Sequence, residues 1–265
     1  MILSKIYVYP IKALPGVTLN KVAISAGGSL EHDRRWAISD KKGRLLSVKN
    51  NSRLFGIRPS YDLDAERVCF NDINGVQKTF QLDDVKGLST YLSEKLSQPV
   101  KLIENKQQGF PDDLNASGPT IVATASLQQV ASWYPGLSLD DIRARFRINL
   151  EISSAPAFWE DQLFSADGVI KTLQVGRVVI QAVNPCARCS VPMKNPESGV
   201  PLEGFYDTFI KQRERTRPSW ADPVCFDHWY RLSANTRISP DLVGQNINLR
   251  DNVTLDMPSK GFKIA

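Results

Sequence analysis

The chain has 265 residues, of which 42% are hydrophobic and 23% are charged. These values are typical of globular proteins, and the length suffices for one large domain or two small ones. The net charge of +5 comes from scattered basic residues, which favours an anionic small ligand and predicts no nucleic-acid partner. The densest basic group alternates like one face of a strand and consists of Arg143, Arg145 and Arg147.

The N-terminus and the hydropathy of the chain predict where the protein resides. The opening sequence MILSKIYVYPIK lacks the pattern of a signal peptide, and no run of about 18 apolar residues follows it. Four cysteines are too few for a disulfide scaffold in a chain of this length. We therefore expect a cytoplasmic protein with reduced thiols and no membrane span.

The first third of the sequence predicts β-strands separated by glycine and asparagine-glycine turns. Hairpin turns are predicted at DKKG (40–43) and INGV (73–76). Leucine and tyrosine then recur every three or four residues, which predicts an amphipathic helix within 85–98, before Pro99. The predicted strands of this region lie in residues 1–12, 21–28, 34–48 and 66–82.

The remaining sequence predicts one further helix and several strands. Segment 105–119 is polar and rich in glycine and proline, and we predict that it crosses between domains or lines a site. A helix is predicted within 124–136, with Thr124 or Ser126 as its N-terminal cap. The later strands are predicted within residues 100–104, 145–153, 172–183 and 243–257.

Cys186 and Cys189 form a C-x-x-C pair, whose spacing occurs in several kinds of site. Zinc needs about four ligands, but His32 and His228 are the chain's two histidines and the remaining cysteines are distant. A thioredoxin-like dithiol opens a helix, whereas two prolines follow this pair. Two interpretations stay open, namely two inert cysteines, or one thiolate on a metal held by a cofactor with Arg188 binding its anion.

The segment NPCARCSVPMKNPESG, residues 184–199, resembles the signature of MOSC-domain proteins. It is most similar to the branch that contains the mitochondrial amidoxime-reducing component and the YcbX-like proteins. The second cysteine of that signature binds molybdenum in the family. The resemblance therefore implies that Cys189 is the metal ligand and catalytic residue, that Arg188 contacts the cofactor, and that Cys186 is a bystander.

Other motifs of the same family occur in family order along the chain. YPIKALPG resembles the opening segment, LEHDRRWAISDKKGRLLSVKNNSRL the D-R-x-W stretch, and LNASGPTIVATASLQQV the D-x-S-P segment. RFRINLEI resembles F-R-P-N, and AFWEDQLF resembles E-D-x-W around Glu160 and Asp161. The residues that the resemblance places at the cofactor are Lys12, Arg34, Asn115, Ser117, Arg147, Asn149 and Arg188.

The sequence departs from the family pattern at a few positions. Lys49 stands where the family has a later arginine, and Ile148 replaces the proline of F-R-P-N. Asp227 and His228 occupy the positions of a glycine and a glutamine. Asn195 to Gly199 stand in place of the usual D-P-x-T-G. The departures at Ile148, Asp227, His228 and this turn bear on the choice of substrate more than on cofactor binding.

The resemblance implies an α+β fold that is mainly β. A MOSC β-barrel would pack against a β-rich, barrel-like N-terminal domain, with the cofactor between them. The expected domains are residues 1–98 and 99–258. The sequence itself lacks the regular strand-helix alternation of a doubly wound sheet.

The resemblance also implies a molybdenum-molybdopterin cofactor and an oxidoreductase of small N-hydroxylated compounds, such as amidoximes and N-hydroxylated base analogues. The chain has no four closely spaced cysteines for a ferredoxin-type cluster, so we expect a separate electron donor, namely a ferredoxin, a flavin reductase or a haem protein. The alternatives are a non-catalytic cofactor carrier or sulfur-transfer protein, and a β-barrel protein without a cofactor. No pyridoxal phosphate site is expected.

Overall fold

A computed structural model describes residues 1–71, 75–167, 169 and 171–256. The strands of these residues are β1 (Ile2–Val8), β2 (Val17–Leu19), β3 (Lys21–Ala23), β4 (Trp36–Asp40), β5 (Pro59–Asp62), β6 (Arg67–Asn71), β7 (Gln77–Gln81), β8 (Val100–Glu104), β9 (Ile121–Ala123), β10 (Leu150–Ser153), β11 (Thr172–Val175), β12 (Val178–Ala187), β13 (Arg231–Ile238), β14 (Asn246–Asn248) and β15 (Val253–Asp256). The α-helices are α1 (Val85–Leu96), α2 (Thr124–Ser132), α3 (Leu139–Phe146) and α4 (Phe205–Arg215). Short 3-10 turns occupy Ser52–Gly56, Trp159–Leu163, Pro223–Cys225 and Pro240–Leu242. The predicted α+β, mainly β class is confirmed.

The largest sheet has eight strands in the order β15-β11-β12-β13-β9-β10-β1-β2. Its neighbours pair antiparallel except β9 and β10, which are parallel. The first two strands of the chain thus belong to the same sheet as strands that begin after residue 120. The two ends of the described chain also meet, because β3 pairs with β14 and the amide of Leu3 donates to the carbonyl of Asp251 at 2.9 Å.

Two smaller sheets and helix α1 form a second hydrophobic core. Strand β4 pairs with β8, and β5, β6 and β7 form a meander. The predicted helix in 85–98 is confirmed as α1, which begins after an Asp84 cap and buries the apolar stripe seen in the sequence. The members of that stripe are Leu88, Tyr91, Leu92 and Leu96. The predicted boundary between residues 98 and 99 remains a prediction.

The strand predicted within 145–153 is too long. Residues 145 and 146 belong to helix α3, and only β10 within this range is a strand. Ser138 and Asp141 form a capping box at the start of α3, which fixes a helix where the arginine alternation suggested a strand. Arg143 and Arg145 lie in its last turn, and Arg147 follows as a left-handed C-cap residue with a φ of 52°. The alternation of the three arginines was misleading because two of them occupy the last turn of a helix and the third is its C-cap.

Two further local predictions are corrected. Helix α2 begins where expected, but neither Thr124 nor Ser126 caps it, because the cap position is Ala123 without a side-chain bond. Ser126 is instead buried, where it accepts from the amide of Phe158 at 2.6 Å and donates to Glu160 at 2.9 Å. Helix α4 was not predicted from the sequence.

The predicted turn at DKKG forms, since Asp40 Oδ1 accepts from the amides of Lys42 and Arg44. Its second arm adds a single bridge, between Ser39 and Leu45, so the hairpin is short. The turn predicted at 73–76 lies partly outside the described residues, as does the end of the strand predicted within 243–257. No helix of the described residues has the length and apolar character needed to cross a membrane.

Candidate functional site

A cleft of about 760 Å³ lies where the chain after β1 meets the ends of α3 and β12. Segment 105–119 lines one side of it, as predicted for that loop. The cleft brings together most of the residues that the resemblance selected, namely Lys12, Arg34, Ser117, Arg147, Asn149, Arg188 and Cys189. Asn115 is exposed and does not line the cleft; its carbonyl accepts from Arg237 Nη2 at 2.9 Å.

The two cysteines of the signature differ in their surroundings. Strand β12 ends at Ala187, and Cys189 follows it with an exposed side chain at the cleft. Cys186 is half-buried and its sulfur accepts from Arg188 Nη1 at 3.1 Å. The second amino group of Arg188 donates to the carbonyl of Phe146. Arg188 therefore contacts Cys186 directly, while the Cys189 thiol is left accessible.

Within the described residues, the C-x-x-C pair forms neither a disulfide nor part of a metal cluster made by the protein alone. All four cysteines are free thiols, so Cys186 and Cys189 form no disulfide. Within the described ranges, no group of three or more His, Cys, Asp or Glu side chains is placed to hold a metal ion. A metal on Cys189 would need most of its ligands from a bound molecule.

Tyr9 links two of the arginines that line the cleft, Arg34 and Arg147. The Arg147 guanidinium lies 4.5 Å from the centre of its ring, and the Arg34 guanidinium lies 5.3 Å from it. Asp33 accepts from the Tyr9 amide at 2.8 Å and forms an ion pair with Arg34. Backbone and aromatic contacts thus hold both cations against one buried ring.

Arg147 is a half-buried cation without an acidic partner among the described residues. One of its amino groups donates to the carbonyl of Leu14, and no ion pair of Arg147 exists within the described part of the chain. Burial lowers the pKa of Arg147 below its ordinary value, because its charge is removed from water without a compensating carboxylate. Such a cation is a natural partner for a bound anion.

Two lysines extend the positive charge along the cleft. Lys12 Nζ donates to the carbonyl of Phe110 at 2.8 Å and pairs with the exposed carboxylate of Asp112. The ion pair holds Lys12 against the 105–119 loop. Lys49, which stands at the family's arginine position, lines the cleft with an exposed side chain.

Asn149 and Ser117 shape the cleft through internal hydrogen bonds. Asn149 Oδ1 accepts from the amide and the hydroxyl of Thr120, and Nδ2 donates to the carbonyl of Tyr7 at 3.1 Å. The hydroxyl of Ser117 donates to the carbonyl of Gly27 at 3.0 Å. Asn149 thus ties Thr120 to strand β1, and Ser117 ties the 105–119 loop to the turn after β3, so we expect both side chains to position the site.

Sequence reasoning missed several cleft residues. Asn184 and Asn235 lie on paired strands, where Asn235 Nδ2 donates to Asn184 Oδ1 at 2.9 Å and Asn184 Nδ2 donates to Asp113 Oδ2 at 3.3 Å. Asn184 stands directly before the cysteine segment, so the motif could have drawn attention to it. Asp113 lies in the loop that was predicted to line a site, although it was not singled out there. Asn235 gave no signal, because only strand pairing brings it to the cleft.

The departures from the family pattern lie in different places. Ile148 is buried in the core beside helix α3. Asp227 is exposed and pairs with Arg231 at 2.6 Å, and His228 Nδ1 accepts from the amide of Tyr230 at 3.1 Å. Neither Asp227 nor His228 lines the cleft, so their replacement does not alter its donor set.

The motif around Glu160 and Asp161 forms a buried ionic network. Asp161 pairs with Arg213, whose guanidinium lies 3.8 Å from the centre of the Phe158 ring. Glu160 accepts from the amide of Ala123 at 3.2 Å and from Ser126. Burial, reinforced by the neighbouring Asp161, raises the pKa of Glu160 to about 7.

We expect the stability of the protein to fall as the pH rises from about 5 to about 8. Glu160 has a higher pKa in the folded chain than its ordinary 4.5, so the folded state binds more protons between these pH values. Glu160→Gln should flatten this decline, measured as the free energy of unfolding in urea at each pH. The matched control Glu214→Gln, at an exposed position of α4, should retain it. An unchanged slope in Glu160→Gln would contradict the assignment.

Comparison with known families shows to which family the chain belongs. Residues 1–116 match the MOSC N-terminal beta barrel domain, and residues 119–239 match the MOSC domain. The chain is a MOSC-domain protein. Both matched regions of this MOSC-domain protein contribute residues to the cleft, Lys12 and Arg34 from the first and Arg147 and Cys189 from the second.

Curated relatives link the MOSC-domain protein to the biochemistry of the molybdenum cofactor. It is 24% identical over 225 residues to a molybdenum cofactor sulfurase of Drosophila willistoni, covering 74% of this chain and 28% of the relative. It is 21% identical over 263 residues to the Homo sapiens protein of that name, covering 80% and 29%. The chain thus spans less than a third of the length of these relatives.

Proposed function

We propose that this MOSC-domain protein binds the molybdenum cofactor in the cleft and reduces N-hydroxylated compounds. The observation that carries the proposal is the position of the exposed Cys189 thiol in the same cleft as two half-buried arginines, Arg34 and Arg147. A soft thiolate suits a redox-active metal, and arginine forks suit a phosphate.

The donor set of the cleft fits the cofactor. Molybdopterin carries a phosphate and a polar pterin, and Arg147 offers a partly buried cation that has no carboxylate partner in the described chain. Arg34 and Lys49 also line the cleft as basic residues, and Cys189 supplies one sulfur. The absence of a protein-only metal cluster in the described residues agrees with a metal whose other ligands belong to the cofactor.

Different residues of the chain would bind different parts of the cofactor. Cys189 would hold the metal at the exposed end of β12, where a small substrate has access. Arg147 and Arg34 would bind the phosphate, and Tyr9 would keep them side by side. Asn149 would hold the loop at Thr120 in place.

When bound, the cofactor supplies two electrons that break the N–O bond of the substrate, which takes up two protons and leaves as an N–H product and water. The protein orients the cofactor and shapes access to it. A separate redox partner, such as a ferredoxin, a flavin reductase or a haem protein, would restore the electrons.

The decisive experiment is molybdenum and pterin analysis of protein purified from a host that makes the cofactor, combined with reduction of a benzamidoxime by chemically reduced protein. We expect about one molybdenum per chain and release of the amidine. Cofactor-free protein would contradict the whole proposal, whereas loaded protein without amidine formation would contradict only the reductase activity.

Replacing Arg147 should weaken cofactor retention by about tenfold or more, because a charge-assisted hydrogen bond to a buried anion contributes on the order of 1.5–3 kcal/mol. Arg147→Met removes the charge, whereas Arg147→Lys keeps it without the planar fork and should retain an intermediate amount. The readout is pterin per chain after gel filtration. Arg177→Met, at an exposed position beside the turn between β11 and β12, serves as the control. Equal retention by all three variants would remove Arg147 from the site.

The second candidate is a cofactor carrier or sulfur-transfer protein, which the relatives favour because they bear the name molybdenum cofactor sulfurase. It would use the same cleft and Cys189 without reducing a substrate. Loaded protein that passes its cofactor to an apo-enzyme, and does not reduce amidoximes, would support this candidate.

A further inference from the structure

A second cavity of about 290 Å³ lies beside the cleft and shares walls with it. Arg145 and Arg147 line both spaces, so they separate the cavity from the cleft. Cys189 does not line the second cavity. Its volume is near the lower end of the range of small-molecule pockets, which corresponds to a molecule of about one aromatic ring.

The walls of the cavity combine aromatic surface with unpaired positive charge. Its apolar lining includes Tyr7, Tyr9, Leu54 and Phe55. Its charged lining holds four arginines, a lysine and one carboxylate, and the members are Arg58, Arg143, Arg145, Arg147, Lys194 and Asp140. Net positive charge over an aromatic floor favours an aromatic anion.

Ion pairs neutralise only part of this charge. Arg143 is bound by Asp140 and by Glu151, each at 2.7 Å, and Arg58 is bound by Glu197 at 2.9 Å.

Three cations of the cavity lack an acidic partner among the described residues, namely Arg145, Arg147 and Lys194. Arg145 is 4% exposed, donates to the carbonyls of Pro192 and Lys194, and keeps a buried Nε without a partner. The hydroxyl of Tyr7 and the ammonium of Lys194 have no hydrogen bond in the described structure, and that ammonium lies 5.9 Å from the centre of the Phe55 ring. A buried donor without a partner is costly, so Arg145 Nε favours a bound acceptor. Tyr7 and Lys194 are half-buried, and their donors are free to bind an acceptor in the cavity.

We propose that the cavity is a binding site for a small aromatic carboxylate, distinct from the cleft that contains Cys189. The ring would pack between Tyr7, Leu54 and Phe55, and the carboxylate would accept from Lys194 and the Tyr7 hydroxyl. Arg147 lines both the cavity and the cleft, so a ligand bound in the cavity would also affect the neighbouring cleft. The proposal does not depend on the reductase activity.

The test is calorimetric titration of the purified full chain with benzoate, and with benzamide as the uncharged analogue. We expect benzoate to bind, and benzamide to bind at least about tenfold more weakly, since an ionic hydrogen bond is lost. Lys194→Met and Tyr7→Phe should each weaken benzoate binding, while Lys86→Met, at an exposed position of α1, should not. Thermal unfolding of each variant checks that it is folded.

Three results would overturn the proposal. The first is no heat of binding with benzoate on the folded protein. The second is equal affinity for benzoate and benzamide. The third is benzoate binding that Lys49→Met weakens and Lys194→Met leaves unchanged, because Lys49 lines only the cleft and the ligand would then lie there. None of these results depends on molybdenum content or on amidoxime reduction.

Discussion

Cys189→Ala is expected to lose molybdenum to below about a tenth of the native content and to abolish amidoxime reduction. The thiol is exposed at the cleft, and the described residues offer no protein cluster that could replace it as a ligand. Under the proposed function, loss of this soft anionic ligand would remove the one bond between the chain and the metal. The measurements are metal analysis of the purified protein and amidine formation by the chemically reduced protein.

Cys186→Ser is the matched control, three positions away in the same segment. Its sulfur accepts from Arg188, and a serine hydroxyl can accept the same bond, so we expect molybdenum content close to native. We thus predict that Cys189→Ala loses its molybdenum whereas Cys186→Ser keeps it. Loss of molybdenum from Cys186→Ser with retention in Cys189→Ala would reverse the assignment of the ligand.

Arg213→Met is expected to destabilise the fold by about 3–5 kcal/mol, which is the usual cost of removing one partner of a buried ion pair. Arg213 is 1% exposed and pairs with Asp161, next to the buried carboxyl of Glu160. Methionine preserves apolar contact with Phe158, so the loss measures the uncompensated charge. Urea denaturation at pH 8 gives the free energy of unfolding.

Two further variants test this account. Arg215→Met, on the exposed side of the same helix, should change the stability by less than about 0.5 kcal/mol. Adding Asp161→Asn to Arg213→Met should recover part of the loss, because the buried negative charge is removed with its partner. A double variant that is less stable than Arg213→Met alone would show that Asp161 stabilises the fold by another route.

The sequence predicted elements well where one face of a segment is apolar. Helix α1 carries its buried residues at regular helical spacing, and β11 and β12 join at a short glycine turn, so both were predictable. Helix α4 was missed because its buried face includes Arg213, a charged residue that no periodicity analysis counts as core. Its burial depends on Asp161, which is distant in the sequence.

The site was predictable in its residue types but not in its contacts. The motifs selected Lys12, Arg34, Arg147 and Cys189, and the fold brings all four to one cleft. Sequence reasoning did not show that Tyr9 holds both arginines, because that arrangement follows from long-range pairing of β1 with β10.

The pairing of the first strands with late ones sets an order of events during synthesis. Strand β1 cannot pair with β10, and β3 cannot pair with β14, until these later strands have been synthesised. Strand β14 ends at Asn248. The cleft, whose lining extends to Asn235 in β13, is therefore complete only when most of the described chain has left the ribosome. Such distant pairings make folding slow. A cofactor that needs cleft residues from both matched regions would be loaded after translation, into a chain that has already formed its eight-stranded sheet.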